Sequence, residues 1–242
     1  IGNASRGIKD LLPEIDKQQL DRRVKLAQKF SAAFSHYFPH DDVKAYNDFY
    51  DQTVKFISGD MAEPFDIQRE PANLKNQYGN HPFGQGTLLA RRLVERGVRY
   101  VQVTSSQNWD SMHSGTNSLD RLSNELDGTV SALMTDLRDR GMLDSTMIVV
   151  TTEFGRTPKV KSNGGRDHHP NGFSAMMAGG GIRGGIAVGE TDDYGRDPFP
   201  EFEPKDLHAT IATALGITGT KIRRLPGRPT FLGGKPKPIK EI

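Results

Sequence analysis

An α/β fold, with a mostly parallel sheet flanked by helices and an N-terminal helical extension, is what this sequence predicts. Three observations carry the prediction. From Phe83 onward, helical and strand-like segments alternate, the order expected of parallel strands joined by crossover helices. Residues 146–152, TMIVVTT, form the apolar, β-branched run of a central strand buried on both faces. Residues 15–59 repeat their apolar positions every three or four residues, as a helical hairpin does.

The elements follow in order. Leu20, Val24, Ala27, Phe30, Phe34 and Phe38 keep helical spacing until Pro39. Asp41 or Asp42 can then cap a second helix, which carries Val43, Tyr46, Tyr50 and Val54 toward Gly59. Residues 60–82 are rich in Pro, Asn and Gln and read as a long connection. A helix over 87–96 stops at Gly97, a strand covers 98–104, a long helix 119–140, and a further strand 173–178. The long helix gathers Leu119, Leu122, Leu126, Val130, Leu133 and Leu137 into one stripe, suited to covering a sheet. Pro204 and Gly216 frame the last helix, since one suits a first helical position and the other a C-terminal cap. The Pro-, Gly- and Lys-rich end reads as an extended surface segment. This gives a helical extension and connection over 1–82, an α/β core over 83–218 and a tail over 219–242.

Composition narrows the function classes. A chain of 242 residues can bury a sizeable core as one large domain, or as one domain with a helical appendage. Its 32 basic and 30 acidic residues are mixed along the chain, so nothing points to nucleic acid or to an anionic membrane surface. No apolar run reaches the ~20 residues of a membrane span. With zero cysteines there are no disulfides or thiolate ligands, and any metal falls to His, Asp and Glu. The start at Ile1, with neither initiator Met nor signal peptide, reads as a processed chain or a piece of a longer one.

The candidate chemistry lies in two loops that leave predicted strands. Asp110 and His113 stand three apart in the polar loop after residues 98–104 and can turn inward onto one divalent cation. Taken alone, that loop reads first as a turn with an Asp cap. Glu153 ends the strand 146–152, where open α/β sheets place their ligands. It is followed by Arg156, Arg166, Asp167, His168 and His169, a set that combines metal donors with anion-binding guanidinium groups. The plainer reading pairs Glu153 with Arg156 as a loop-fixing ion pair. The run Gly179–Gly185 lacks the Gly-Lys-Ser/Thr ending of a phosphate loop and leads into an apolar strand, Ile186-Ala187-Val188, rather than a helix, so turn chemistry is expected there. No Gly-x-Ser-x-Gly elbow is present.

Several stretches together resemble the DUF1501 family. They are ARRLVERGVR at 90–99, Trp109-Asp110, TEFGRTP at 152–158, Gly165-Arg166-Asp167-His168 and Ala178-Gly179-Gly180-Gly181. The likeness is to the C-terminal part of that sulfatase-like family, within the alkaline phosphatase-like superfamily. It implies an alkaline phosphatase-like core and a metal-dependent hydrolase of phosphate or sulfate esters. It also implies a divalent metal (zinc, calcium or manganese) held by Asp110, His113, Glu153 and His168 or His169, with Arg156 or Arg166 gripping the anion. A small-molecule or glycan ester would be the substrate, and the location periplasmic or secreted. By the same resemblance, Phe154 stands where the superfamily has a second strand-end ligand. The family's Gly-Gly-Pro-Ser-His-like stretch, the region of the superfamily's nucleophile, has no counterpart. These two departures keep open an alternative, a non-catalytic binding or scaffold protein on a degenerate fold.

Overall fold

A computed structural model describes residues 14–105, 109, 117–217 and 236–242. About 52% of the described residues are helical. The chain divides into two compact units, one comprising Ile1–Ser106 with Glu125–Leu133, the other Gln107–Asn124 with Met134–Ile242.

The first unit is helical. α1 (Lys17–Tyr37) starts where the Asp16 carboxylate accepts the Gln19 N–H at 2.8 Å, satisfying one of the donors that every helix start leaves open. α2 (Asp41–Ser58) carries Asp41 and Asp42 in its first turn, the sign its dipole favours. Residues 60–82, expected as a connection, instead wind into 3₁₀ turns at Asp60–Phe65 and Ile67–Arg69 and into α3 (Ala72–Tyr78). α4 (Pro82–Glu95) begins with Pro82 in its first turn, while His81 Nδ1 accepts the Gly84 N–H at 3.2 Å. A Cβ on Gly84 would lie 1.9 Å from the Tyr78 carbonyl oxygen, so glycine is what lets α3 and α4 meet this closely. Ile67, Tyr78, Leu88 and Leu89 form the core, with Phe65, Leu74, Leu93, Ala132 and Leu133 packed around them.

The second unit holds the short strands. Within α5 (Asn117–Asp139), Leu122 and Leu137 are buried, and the buried Asp136 accepts from Arg140 at 2.7 Å. β1 (Met147–Thr151) pairs antiparallel with β4 (Ala175–Gly179), Met147 opposite Gly179 and Thr151 opposite Ala175. Between them β2 (Gly155–Val160) and β3 (Arg166–His169) form an antiparallel ribbon, and β5 (Glu190–Thr191) pairs with β6 (Pro198–Phe199). α6 (Pro204–Ala214) opens on a reciprocal cap between Glu203 and Asp206. The end of the chain returns to it. Lys237 N–H donates to Asp206 Oδ1 at 2.8 Å and Ile239 N–H to Thr210 Oγ1 at 2.9 Å.

The expected alkaline phosphatase-like core, with a mostly parallel sheet flanked by helices, is overturned by these pairings. Among the described residues there are three sheets, each of two antiparallel strands. The physical reason lies between β1 and β4. A parallel partner needs a crossover of a dozen or more residues, usually a helix, but residues 152–174 fold into a ribbon, so β4 returns in the opposite direction. With one neighbour, β1 buries only Ile148 fully. Residues 98–104 form no strand, nor do 186–188. The helices near 15–59, 87–96, 119–140 and 204–216 are present. Among the described residues no helix is long and apolar enough to cross a membrane.

Candidate functional site

The β2–β3 ribbon gathers most of the residues singled out in the sequence. Its register sets Arg156 opposite His168 and Gly155 opposite His169. Arg156 is mostly buried, and its Nη2 lies 3.7 Å from Oε1 of Glu153, whose side chain is 61% exposed. At that distance the pair is a loose surface ion pair, and the carboxylate keeps acceptor capacity toward solvent. The Phe154 ring packs against both the His168 imidazole and the Arg156 guanidinium. Its centroid is 4.4 Å from that of His168, and the Arg156 guanidinium carbon is 5.7 Å from it. The ribbon and the two residues before it thus present an imidazole and a guanidinium against an aromatic ring, with the Glu153 carboxylate near the guanidinium.

Of the remaining residues, Asp167 pairs with Lys161, Arg166 ties the ribbon together and His169 ties it to the loop at 190–197. Arg166 Nη1 donates to the Thr157 carbonyl at 2.9 Å and the Pro158 carbonyl at 2.7 Å, tying β3 to β2. His169 Nε2 lies 2.7 Å from the Arg196 carbonyl oxygen. A carbonyl only accepts, so that ring nitrogen carries the hydrogen. The carbonyl is positioned in turn by Asp192, whose Oδ1 accepts the Arg196 N–H at 2.6 Å and the Asp197 N–H at 3.3 Å. The Arg196 N–H, outweighing the opposing effect of burial, holds the Asp192 carboxyl below its ordinary value. Nothing in residues 190–197 signals this loop in advance except the turn-forming Asp-Asp-Tyr-Gly sequence.

Asp110 and His113 lie outside the described residues. Among the described residues no three His, Asp or Glu side chains stand close enough together to hold a metal ion. Glu153 and His168 are suitable donors in type, but a catalytic zinc needs three protein ligands, and the ribbon alone does not supply them.

Sequence reasoning missed a second charged cluster, in the first unit. Arg91, 1% exposed, pairs with Glu70 Oε1 at 2.8 Å and with Glu95 at 2.7 Å. Arg92 also reaches Glu70 Oε1, and binds Glu63 at 2.6 Å, which Arg96 meets from the other side at 2.6 Å. Burial pushes the Glu63 carboxyl up, but Arg92 and then Arg96 outweigh it and hold the group below its ordinary 4.5. A recess of about 320 Å³ lies here, lined by Glu63, Pro64, Arg92, Glu95 and Arg96. Because its guanidinium groups already face carboxylates, it is a structural network and offers no anion site. The i, i+4 pair Arg91/Glu95 was its only local sign in the sequence.

A family model described as "Protein of unknown function (DUF1501)" matches residues 4–242. The chain belongs to the DUF1501 family. No curated protein and no solved structure matches it.

Proposed function

We propose that this chain contributes part of a sulfatase-like site for metal-dependent hydrolysis of phosphate or sulfate esters, as the C-terminal portion of that site. The observation that carries the reading is the β2–β3 ribbon, which sets Arg156 opposite His168, with Glu153 3.7 Å from the Arg156 guanidinium. A carboxylate, an imidazole and a guanidinium are the groups such chemistry uses. Glu153 and His168 would hold the ion together with Asp110 and His113. An oxygen and nitrogen donor set of this kind suits zinc or manganese better than calcium. When bound, the metal would polarise the ester oxygen. Arg156 or Arg166 would hold the remaining oxygens of the anion. A periplasmic or secreted location belongs to the same proposal.

A second reading is favoured by Phe154. Its ring packs on His168, in the place where a ligand would be needed, and this suits a binding or scaffold protein without turnover. Metal content of the purified full-length protein, in which this chain would form the C-terminal portion, measured with aryl phosphate and aryl sulfate hydrolysis, separates the two. Stoichiometric metal with hydrolysis lost in His168→Ala supports the enzyme. A folded, metal-free, inactive protein supports the scaffold.

A further inference from the structure

The α1–α2 hairpin keeps its largest side chains out of its own seam. Across the seam, Leu20, Val24, Ala27, Ser31 and Ser35 face Val43, Asn47, Asp51 and Val54, all at most half-buried. Asn47 donates to the Ser35 hydroxyl at 2.9 Å, and Gln28 to Asp51 at 3.2 Å. The aromatic residues lie elsewhere. With 3.6 residues per turn, Leu26, Phe30, Phe34 and Tyr37 on α1 stand about 100° round from the seam, as do Tyr46 and Tyr50 on α2. The helices are antiparallel, so both stripes turn to the same side of the hairpin. The 28/51 and 35/47 contacts place Phe34 level with Tyr46 and Phe30 level with Tyr50. Phe30, Phe34, Tyr37 and Tyr46 are 69%, 53%, 77% and 67% exposed, an apolar patch of the kind that marks interaction sites.

We propose that this face is a self-association surface, on which a second copy of the chain stacks to make a four-helix bundle. The twofold axis runs parallel to the helices, so that α1 of one protomer lies over α2 of its partner. Charge selects this occupant and this arrangement. α1 carries five bases (Lys17, Arg22, Arg23, Lys25, Lys29) against one acid, Asp21. α2 carries four acids (Asp41, Asp42, Asp48, Asp51) against two bases, Lys44 and Lys55. At the ~10 Å separation of packed helices such fields are only partly screened. Stacking α1 over α2 therefore sets opposite charges together, and stacking α1 over α1 would not. The axis preserves height along the bundle, so Phe34 meets the partner's Tyr46 and Phe30 the partner's Tyr50, which makes the stripe self-complementary. Two helices ~30 Å long and side by side offer roughly 600 Å² per protomer, the lower end of what a specific dimer needs.

Sedimentation equilibrium of the whole chain tests this. A mass of twice 26.8 kDa is expected at about 100 μM, a concentration at which an interface of this size associates. The Phe30→Glu, Phe34→Glu double variant should raise the dimer dissociation constant at least about tenfold, with unchanged far-ultraviolet circular dichroism because both side chains are exposed. If that variant loses helix, Tyr37→Glu gives the same reading one turn further on. Dissociation should also rise with salt, since opposite charges meet. A wild-type monomer, as when another segment of the chain covers the face, overturns the proposal. A dimer indifferent to these variants, or one that tightens with salt, also overturns it.

Discussion

Glu70 shows how much one carboxylate can hold. A single oxygen of it receives both Arg91 and Arg92, and all three side chains are more than nine-tenths buried. Removing one partner of a buried pair leaves the other charge uncompensated. In Glu70→Ala, Arg91 keeps Glu95 and Arg92 keeps Glu63, so the first unit is expected to lose about 3 kcal/mol, the lower end for a broken buried pair, read as a lower denaturant midpoint. Asp66→Ala, which breaks an exposed pair with Arg69, should change stability by less than about 1 kcal/mol. In the second unit the residue in question is Glu153. Glu153→Gln keeps its shape and removes its charge, and should weaken zinc or manganese binding in calorimetric titration at least about tenfold. Equal affinities in the two proteins would remove Glu153 from the proposed site.

Among the elements, α4 depends on a side chain that is absent. Gly84→Ala would drive a methyl into the Tyr78 carbonyl and is expected to cost about 3 kcal/mol, the upper end for overpacking. α6 depends on Asp206, whose carboxylate accepts from the N–H of Lys237 and that of Glu203. These two contacts, Lys237 first, hold its acid constant below the ordinary 3.8. Because the folded value is depressed, this stabilisation is complete above about 3.8 and vanishes as pH falls through the lower folded value. Amide exchange at Lys237, corrected for its intrinsic pH dependence, should lose protection over that acidic window. In Asp206→Asn it should be faster at neutral pH.

The helices were legible because local signals decide them. Asp41 and Asp42, Pro204 and the 3.6-residue stripes all act within a few turns, whereas α3 and the start of α4 at Pro82 fell in the segment expected as a connection. Strand direction was not legible. The β-branched run at 146–152 fixes the propensity of β1 but carries no information on which segment pairs with it, and β4 is recruited from residues beyond an intervening ribbon. The likeness in 152–158 and 165–168 did pick out the segments that form that ribbon. Packing of Phe154 on His168 is a cross-strand result that spacing alone does not reveal.

At the scale of the molecule, the functional proposal concerns a site shared with residues other than those of the ribbon. The ribbon offers Glu153 and His168 as metal donors, and no group of three donors among the described residues. Positioning a nucleophile beside the metal supplies a large part of such catalysis. The 242-residue chain by itself is therefore expected to turn over aryl phosphate and aryl sulfate at near background rates, with or without added zinc or manganese. Robust metal-dependent turnover by this chain, abolished in His168→Ala, would place a complete site within it.

The return of the chain end to α6 has its own logic. Asp206 and Thr210, one helical turn apart, take up the amide hydrogens of alternate residues, Lys237 and Ile239. The residues interleaved with them are Pro236 and Pro238, which have no amide hydrogen to give. Sliding the segment by a single position would bring Pro236 and Pro238 to the two acceptors in one direction and Pro238 to Asp206 in the other, so at least one acceptor would face a nitrogen without a hydrogen. The prolines thus act as a phase lock that permits only even steps. Since it is the main chain that is grasped, the side chains at 237 and 239 can vary widely provided that neither becomes proline.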